Sequence, residues 1–239
     1  MDSQGEELSR KAPPDLPGAN LSDTIDYHLG ELALARDASH PRHLLPDFRP
    51  CHKVIIDIGC GIGQTFIAAG LDSDSGRTLV GIDYELEPLQ YGRHHSPGIQ
   101  FLQGDGNSLP IGSGCVDLVV SRVSLPYTNI PLAMAEIHRI LKPGGEIWIT
   151  LHPARVLINP LIKSFRELSI KGFLVRSFFL LNGLLLHWFG FLLPHPRTGV
   201  YESFQTNKGI RRLLERYEFD SVKITRGVHF LVTASKSLP

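Results

Sequence analysis

The run Val54-Ile55-Ile56-Asp57-Ile58-Gly59-Cys60-Gly61-Ile62-Gly63 is β-branched and apolar until it breaks into alternating glycines. Glycine lets the backbone take positive φ and come close to a ligand, and a helix that starts beyond such a loop offers unpaired N–H groups. The loop is therefore a seat for a polar ligand. A dinucleotide fingerprint G-x-G-x-x-G opening at Gly59 needs its third glycine at position 64, which is Gln64, so the nicotinamide reading lacks a key residue. Roughly 20 to 25 residues past the loop, Gly81-Ile82-Asp83-Tyr84 sets a carboxylate where ribose hydroxyls are accepted in nucleotide-binding α/β sheets. Capping of the helix from Glu85 onward would also explain an aspartate at 83, but not its distance from the glycine loop. A third polar turn, Gln103-Gly104-Asp105-Gly106-Asn107-Ser108, offers either another acceptor for the ligand or an aspartate bonded to its own backbone.

These loops need a sheet whose carboxyl ends gather them. Short β-branched runs at 54–58, 78–82, 99–103, 116–121 and 146–151 alternate with longer segments of helical spacing, the pattern of a parallel sheet covered on both faces. Ile130, Ala133, Ile137, Ile140 and Leu141 share one helix face, and Lys142-Pro143-Gly144-Gly145 stops that helix. Ile210, Leu213, Leu214 and Tyr217 repeat the spacing. Two strands at 221–225 and 228–234 follow, joined as a hairpin by Arg226-Gly227. The expectation is a doubly wound α/β domain over 21–239: a mostly parallel, Rossmann-like sheet of seven strands with an antiparallel C-terminal hairpin strand. A helix over 25–38 precedes it as a candidate lid.

Bulk properties narrow the function. Twenty-four basic residues balance 24 acidic ones, so no global field gathers nucleic acid. Cys51, Cys60 and Cys115 have neither C-x-x-C spacing nor a histidine arrangement, which argues against a disulfide framework and against a metal site and suits a reducing cytoplasm. Residues 1–20 are polar, acidic and rich in Pro and Gly, the composition of a disordered tail.

The spacing G-x-G-x-G after Asp57 resembles motif I of class I S-adenosylmethionine-dependent methyltransferases. Asp117-Leu118-Val119 and Leu141-Lys142-Pro143-Gly144-Gly145 resemble the D-x-V and L-K-P-G-G runs of the small-molecule group that holds the ubiquinone and sterol enzymes. The motifs cover roughly 54–151 in that family's order. The resemblance implies S-adenosylmethionine as cofactor and a donor site built from Asp57, Gly59, Cys60, Gly61 and Gly63, then Asp83 and Tyr84. Asp105 would accept from the adenine amino group, beside Gly106, Asn107 and Ser121. It also implies that 121–127 faces the transferred methyl group; this segment is not the Asn-Pro-Pro-Tyr motif of amino and amide methylation. If the acceptor is a hydroxyl a base is needed, and the candidates are Tyr127 and His152, then His28 on the possible lid. A non-catalytic, donor-binding regulatory protein is the alternative.

Residues 155–200 form an apolar insertion, with FLVRSFFLLNGLLLHWFGFLL at 173–193. A single bilayer crossing there would part the last helix and hairpin from the sheet they complete. The segment is then a cap that walls the site, a membrane-interface element beside Lys163, Arg166, Lys171 and Arg176, or a contact with a second copy of the chain. The cap is favoured, and the acceptor expected is small and hydrophobic.

Overall fold

The computed structural model describes residues 21–71, 76–152 and 170–238. The tail at 1–20 and the insertion's 155–169 lie outside the described residues. The helix α1 (Leu21–Arg36) leads into β1 (Val54–Ile58), α2 (Gln64–Ala68), β2 (Thr78–Asp83), α3 (Leu86–His95), β3 (Gln100–Gln103) and β4 (Val116–Arg122). A short 3-10 turn (Leu125–Tyr127), α4 (Ile130–Ile140), β5 (Leu141–Leu151), α5 (Ile170–Phe189), α6 (Asn207–Arg216), β6 (Phe219–Arg226) and β7 (Phe230–Lys236) follow.

The strands form one sheet in the order β3-β2-β1-β4-β5-β7-β6. β1 pairs in parallel with β2 and β4, β2 with β3, and β4 with β5. Only β7 runs the other way, antiparallel to β5 and to β6. The expected fold class is the observed one. Chain order reverses at β1, whose neighbours on either side are β2 and β4, so the loops leaving β1 and β4 part at that edge and open a crevice.

Pleating sends alternate strand residues to two cores. Ile56, Ile58 and Val119 join Ile130, Ile137 and Leu213 on the side of α4 and α6, whereas Ile55, Leu118 and Val120 pack with Phe66, Leu89 and Trp148 on the side of α2 and α3. Asp117 ties the amino ends of three strands. Its Oδ2 accepts from the backbone of Lys53 (3.0 Å) and Val54 (2.8 Å), and its Oδ1 from Lys142 Nζ at 2.7 Å. Burial opposes its charge, but Lys142 and the two N–H groups outweigh burial and hold its pKa below the usual carboxylate range. The aspartate of the D-x-V run and the lysine of L-K-P-G-G thus work as one structural clasp.

Some boundaries move. α4 ends at Ile140 as the glycines require, yet 141–145 already belongs to β5, irregularly paired, with Gly144 at φ +74°. The final hairpin turns at 227–229 rather than at Arg226-Gly227, because Arg226 still pairs with Phe230. α1 starts four residues before the expected helix, at Leu21 rather than Ile25.

Candidate active site

The glycine loop leaves β1 at the crevice with Gly59, Gly61 and Gly63 at φ +72°, +54° and +87°, a region that other residues avoid. Close approach fixes two of them as well. A methyl group on Gly59 would overlap the Ser124 side chain, and one on Gly61 would overlap the His28 ring and crowd Gln64 Oε1. Ser124 is held there by donating to the Ile58 carbonyl (2.6 Å), while Ser121, fully buried, spends its hydroxyl on Ser124. Ser121 therefore positions the β4 loop against the β1 loop. Cys60 turns its buried thiol toward Gly81, and burial with the Asp83 and Asp57 charges drives its pKa up, so it packs and does not react.

Asp83 binds the glycine loop directly. Its Oδ2 accepts from Gly61 N at 2.7 Å, and its Oδ1 from Glu85 N at 3.1 Å. The loop-to-helix role and the ligand role are compatible, because an ionised carboxylate has about four acceptor positions and these bonds use two. Tyr84, 76% exposed, extends beside it, with its carbonyl accepting from Gln103 Nε2. Asp105 is exposed, and its Oδ1 accepts from Asn107 N at 2.9 Å. Asn107 in turn accepts from Asn129 N at 3.0 Å, which fastens the third loop to the start of α4, and Gly106 lies between Ile58 and Thr128. All three polar turns of the sequence meet at one sheet edge.

Asp57 lies beneath the loop. It is 1% exposed, and neither carboxylate oxygen has a hydrogen-bond partner among the described residues. Burial pushes its pKa up to about 7, against the lowering influence of the Thr65 hydroxyl and the Arg122 charge. Arg122 itself points a buried, unpartnered Nη1 into this region, and its Nη2 stands 4.0 Å from Glu31 on α1.

α1 covers the loop, as a lid would. His28 takes a bond from Gln64 Nε2 through Nδ1 (3.3 Å), and Gln64 Oε1 accepts from Ile62 N at 3.1 Å. Burial lowers the His28 pKa against the pull of Asp83 and Glu31, which favours the neutral ring. Sequence reading found His28 but neither Glu31 nor the seat that Gln64 provides.

Tyr127 and His152 are brought together. The Tyr127 hydroxyl is 3.2 Å from His152 Nε2, and the rings meet edge to face at 5.4 Å. Two bonds to Gln205, one to its side chain and one from its backbone, pin His152: the His152 N donates to Gln205 Oε1, and Gln205 N donates to the His152 carbonyl, both at 2.9 Å. Tyr127 follows the turn that Ser124 presses on Gly59, so this pair borders the crevice from the β4 and β5 side.

Solved structures share this fold. An S-adenosylmethionine-dependent methyltransferase of Methanosarcina mazei superposes with a TM-score of 0.52 over 81% of this chain and 100% of its own, at 23% identity. The CMeT domain of the citrinin polyketide synthase gives 0.55 over 78% of this chain and 47% of its own, at 19% identity. Residues 56–149 match the family model described as a methyltransferase domain. Its relatives include a malonyl-[acyl-carrier protein] O-methyltransferase of Pectobacterium atrosepticum, 32% identical over 41% of this chain and 39% of the relative. A demethylmenaquinone methyltransferase of Renibacterium salmoninarum is 33% identical over 39% of this chain and 38% of its own length. A phthiotriol/phenolphthiotriol dimycocerosates methyltransferase of Mycobacterium leprae is 32% identical over 40% and 36%. The chain thus spans less than two fifths of the length of these relatives.

Proposed function

We propose that the protein transfers a methyl group from S-adenosylmethionine to a small, hydrophobic acceptor. The observation that carries this reading is the grip of Asp83 on Gly61 N within a triple-glycine loop at the sheet's reversal point, inside the stretch that matches the methyltransferase domain. The residues present fit the donor. The missing side chain of Gly61 lets the loop pass close to His28 and Gln64, the free acceptor positions of Asp83 suit a ribose diol, and Asp57 offers a buried carboxylate whose neighbours are the Thr65 hydroxyl and the Arg122 charge. Asp57 lies beneath the loop, and exposed Asp105, with Gly106 and Asn107 at the third loop, supports acceptance from the donor's adenine amino group.

When bound, S-adenosylmethionine supplies an electrophilic methyl group, so the chain's own task is mainly to align a nucleophile and keep water away. α1 closes one side with His28 and Tyr27. Tyr127 and His152 hold a hydroxyl and an imidazole at hydrogen-bond distance, an arrangement that accepts a proton from an acceptor hydroxyl and passes it along. By their names the relatives act on malonyl-[acyl-carrier protein], demethylmenaquinone and phthiotriol/phenolphthiotriol dimycocerosates, and the last two support an apolar acceptor.

The test is transfer of label from methyl-labelled S-adenosylmethionine into organic-extractable products, with quinone precursors and fatty acyl compounds as acceptors. Labelled product is expected with at least one. Tyr127→Phe should then lower kcat by about 10²-fold, the range of a proton-transfer contribution, and leave donor affinity unchanged. Undiminished kcat in Tyr127→Phe would remove the pair from the chemistry, and no transfer to any acceptor despite donor binding would favour a regulatory role.

A further inference from the structure

Helix α5 is apolar on two faces and only one of them is used. Asn182, Gly183 and Leu186 are buried: Asn182 bonds Leu193 N and the carbonyls of Leu193 and Glu202, and Gly183 accommodates the Phe204 ring. On the other side Leu174, Leu181, Leu184 and Trp188 recur at helical spacing and are 63%, 45%, 43% and 59% exposed. Phe189 and Phe191 widen this face at its carboxyl end. A surface helix that only packs on its own domain carries polar residues there.

The charge of the stripe's own segment has one sign, with Glu202 and Glu215 lying beyond it. Between 170 and 201 the sequence holds Lys171, Arg176 and Arg197 and no carboxylate, in a chain whose net charge is zero. α6 adds further cations where the stripe ends. Lys208 Nζ lies 5.5 Å from the centre of the Trp188 ring, Arg212 donates to the carbonyls of His187 and Trp188, and Arg216 borders Gly190. The loop carrying exposed Arg197 folds back on α5 through the His195 contact with Phe178.

We propose that this face docks the protein on an anionic lipid bilayer, with Leu181, Leu184 and Trp188 in the acyl boundary and Lys208 and Arg197 at the phosphate level. Apolar residues with tryptophan on one face and cations at its margin suit an interfacial helix. No helix among the described residues is long and apolar enough to cross a membrane, so the contact is peripheral. A second copy of the chain fits less well, because a two-fold pairing about α5 would set these cations against themselves without a carboxylate from 170–201 to neutralise them. The proposal stands apart from the methyl-transfer reading and does not need it.

The full chain is mixed with vesicles of phosphatidylcholine alone or of phosphatidylcholine with phosphatidylserine, and binding is read by co-sedimentation and tryptophan emission. Trp148 is already buried, so a blue shift reports Trp188. Binding is expected on the anionic vesicles, about tenfold stronger than on neutral ones and weakened by salt. It should be lost in Leu181→Glu/Trp188→Glu and weakened in Arg197→Glu/Lys208→Glu, with thermal unfolding of these surface variants unchanged. Equal or absent binding to the two vesicle types, or no shift in wild-type emission, overturns the proposal. So does self-association in light scattering that the same substitutions abolish while vesicles are ignored, which would assign the face to a second copy. Failure of the donor to bind in a separate titration leaves the vesicle result standing.

Discussion

At the scale of single residues, the site is organised by one buried carboxylate and one crowded glycine. The Asp57 pKa of about 7 is well above that of an unfolded aspartate, so the folded state holds more protons and stability falls as pH rises from about 4 through 7. Asp57→Asn keeps the shape and removes the charge. Thermal unfolding should show it more stable than the parent at pH 8, on the order of 3 kcal/mol, with the gain fading toward pH 4; a pH-independent difference would mean that Asp57 is already paired. Gly61 and Gly70 separate conformational strain from contact. Both sit at positive φ, but a methyl group at Gly70 meets open space whereas one at Gly61 strikes His28 and Gln64. Gly70→Ala should cost about 1–2 kcal/mol and spare donor binding. Gly61→Ala should cost more and abolish it, as differential unfolding and ligand titration would show; equal costs would mean that His28 yields freely. Asp57, the glycines and Asp83 were legible in sequence because backbone conformation and strand position constrain them locally. Ser124, Gln64 and Glu31 were not, since their roles come from neighbours 36 to 91 residues away, in the contacts of Ser124 with Ile58, Gln64 with His28 and Glu31 with Arg122.

At the scale of elements, the strands were read almost as they stand, because each is a buried β-branched run bounded by glycine or polar turns. The misplacements lie where tertiary pairing overrides local signals. β6 continues through Arg226 since that residue still pairs with Phe230, and β5 begins before its glycines end because Leu141 pairs with Val116. The lid reading of the first helix rested on position alone, and the structure adds contacts: α1 reaches the glycine loop through His28 and β4 through Glu31 and Arg122. α1 also packs on α2 and α3, and Leu32 and Ala35 are buried among its described apolar side chains. Lying outside the sheet, it can open without breaking a strand pair. Amide exchange over 24–35 should slow when S-adenosylhomocysteine binds, with little change in β1 or β4. An unchanged rate in α1 would show that it neither opens nor closes over the donor.

At the scale of the whole molecule, chain order and charge divide the labour. The reversal at β1 collects three polar loops on one edge, and the antiparallel β7 seals the far half of the sheet on which α5 and α6 rest. Net charge is zero for the chain, yet the insertion is cationic, an asymmetry that composition alone hides and position reveals. How the insertion sits on the domain was beyond sequence reading, since a helix apolar on two faces carries too weak a period to say which face is buried. Titration calorimetry with S-adenosylhomocysteine probes the donor site itself, using the wild type and Asp83→Ala. One molecule should bind per chain, and the substitution should weaken binding by about 1–3 kcal/mol, the cost of unpairing the ribose hydroxyls. Absence of binding to the wild type, or equal affinity in Asp83→Ala, would contradict the placement of the donor at this loop.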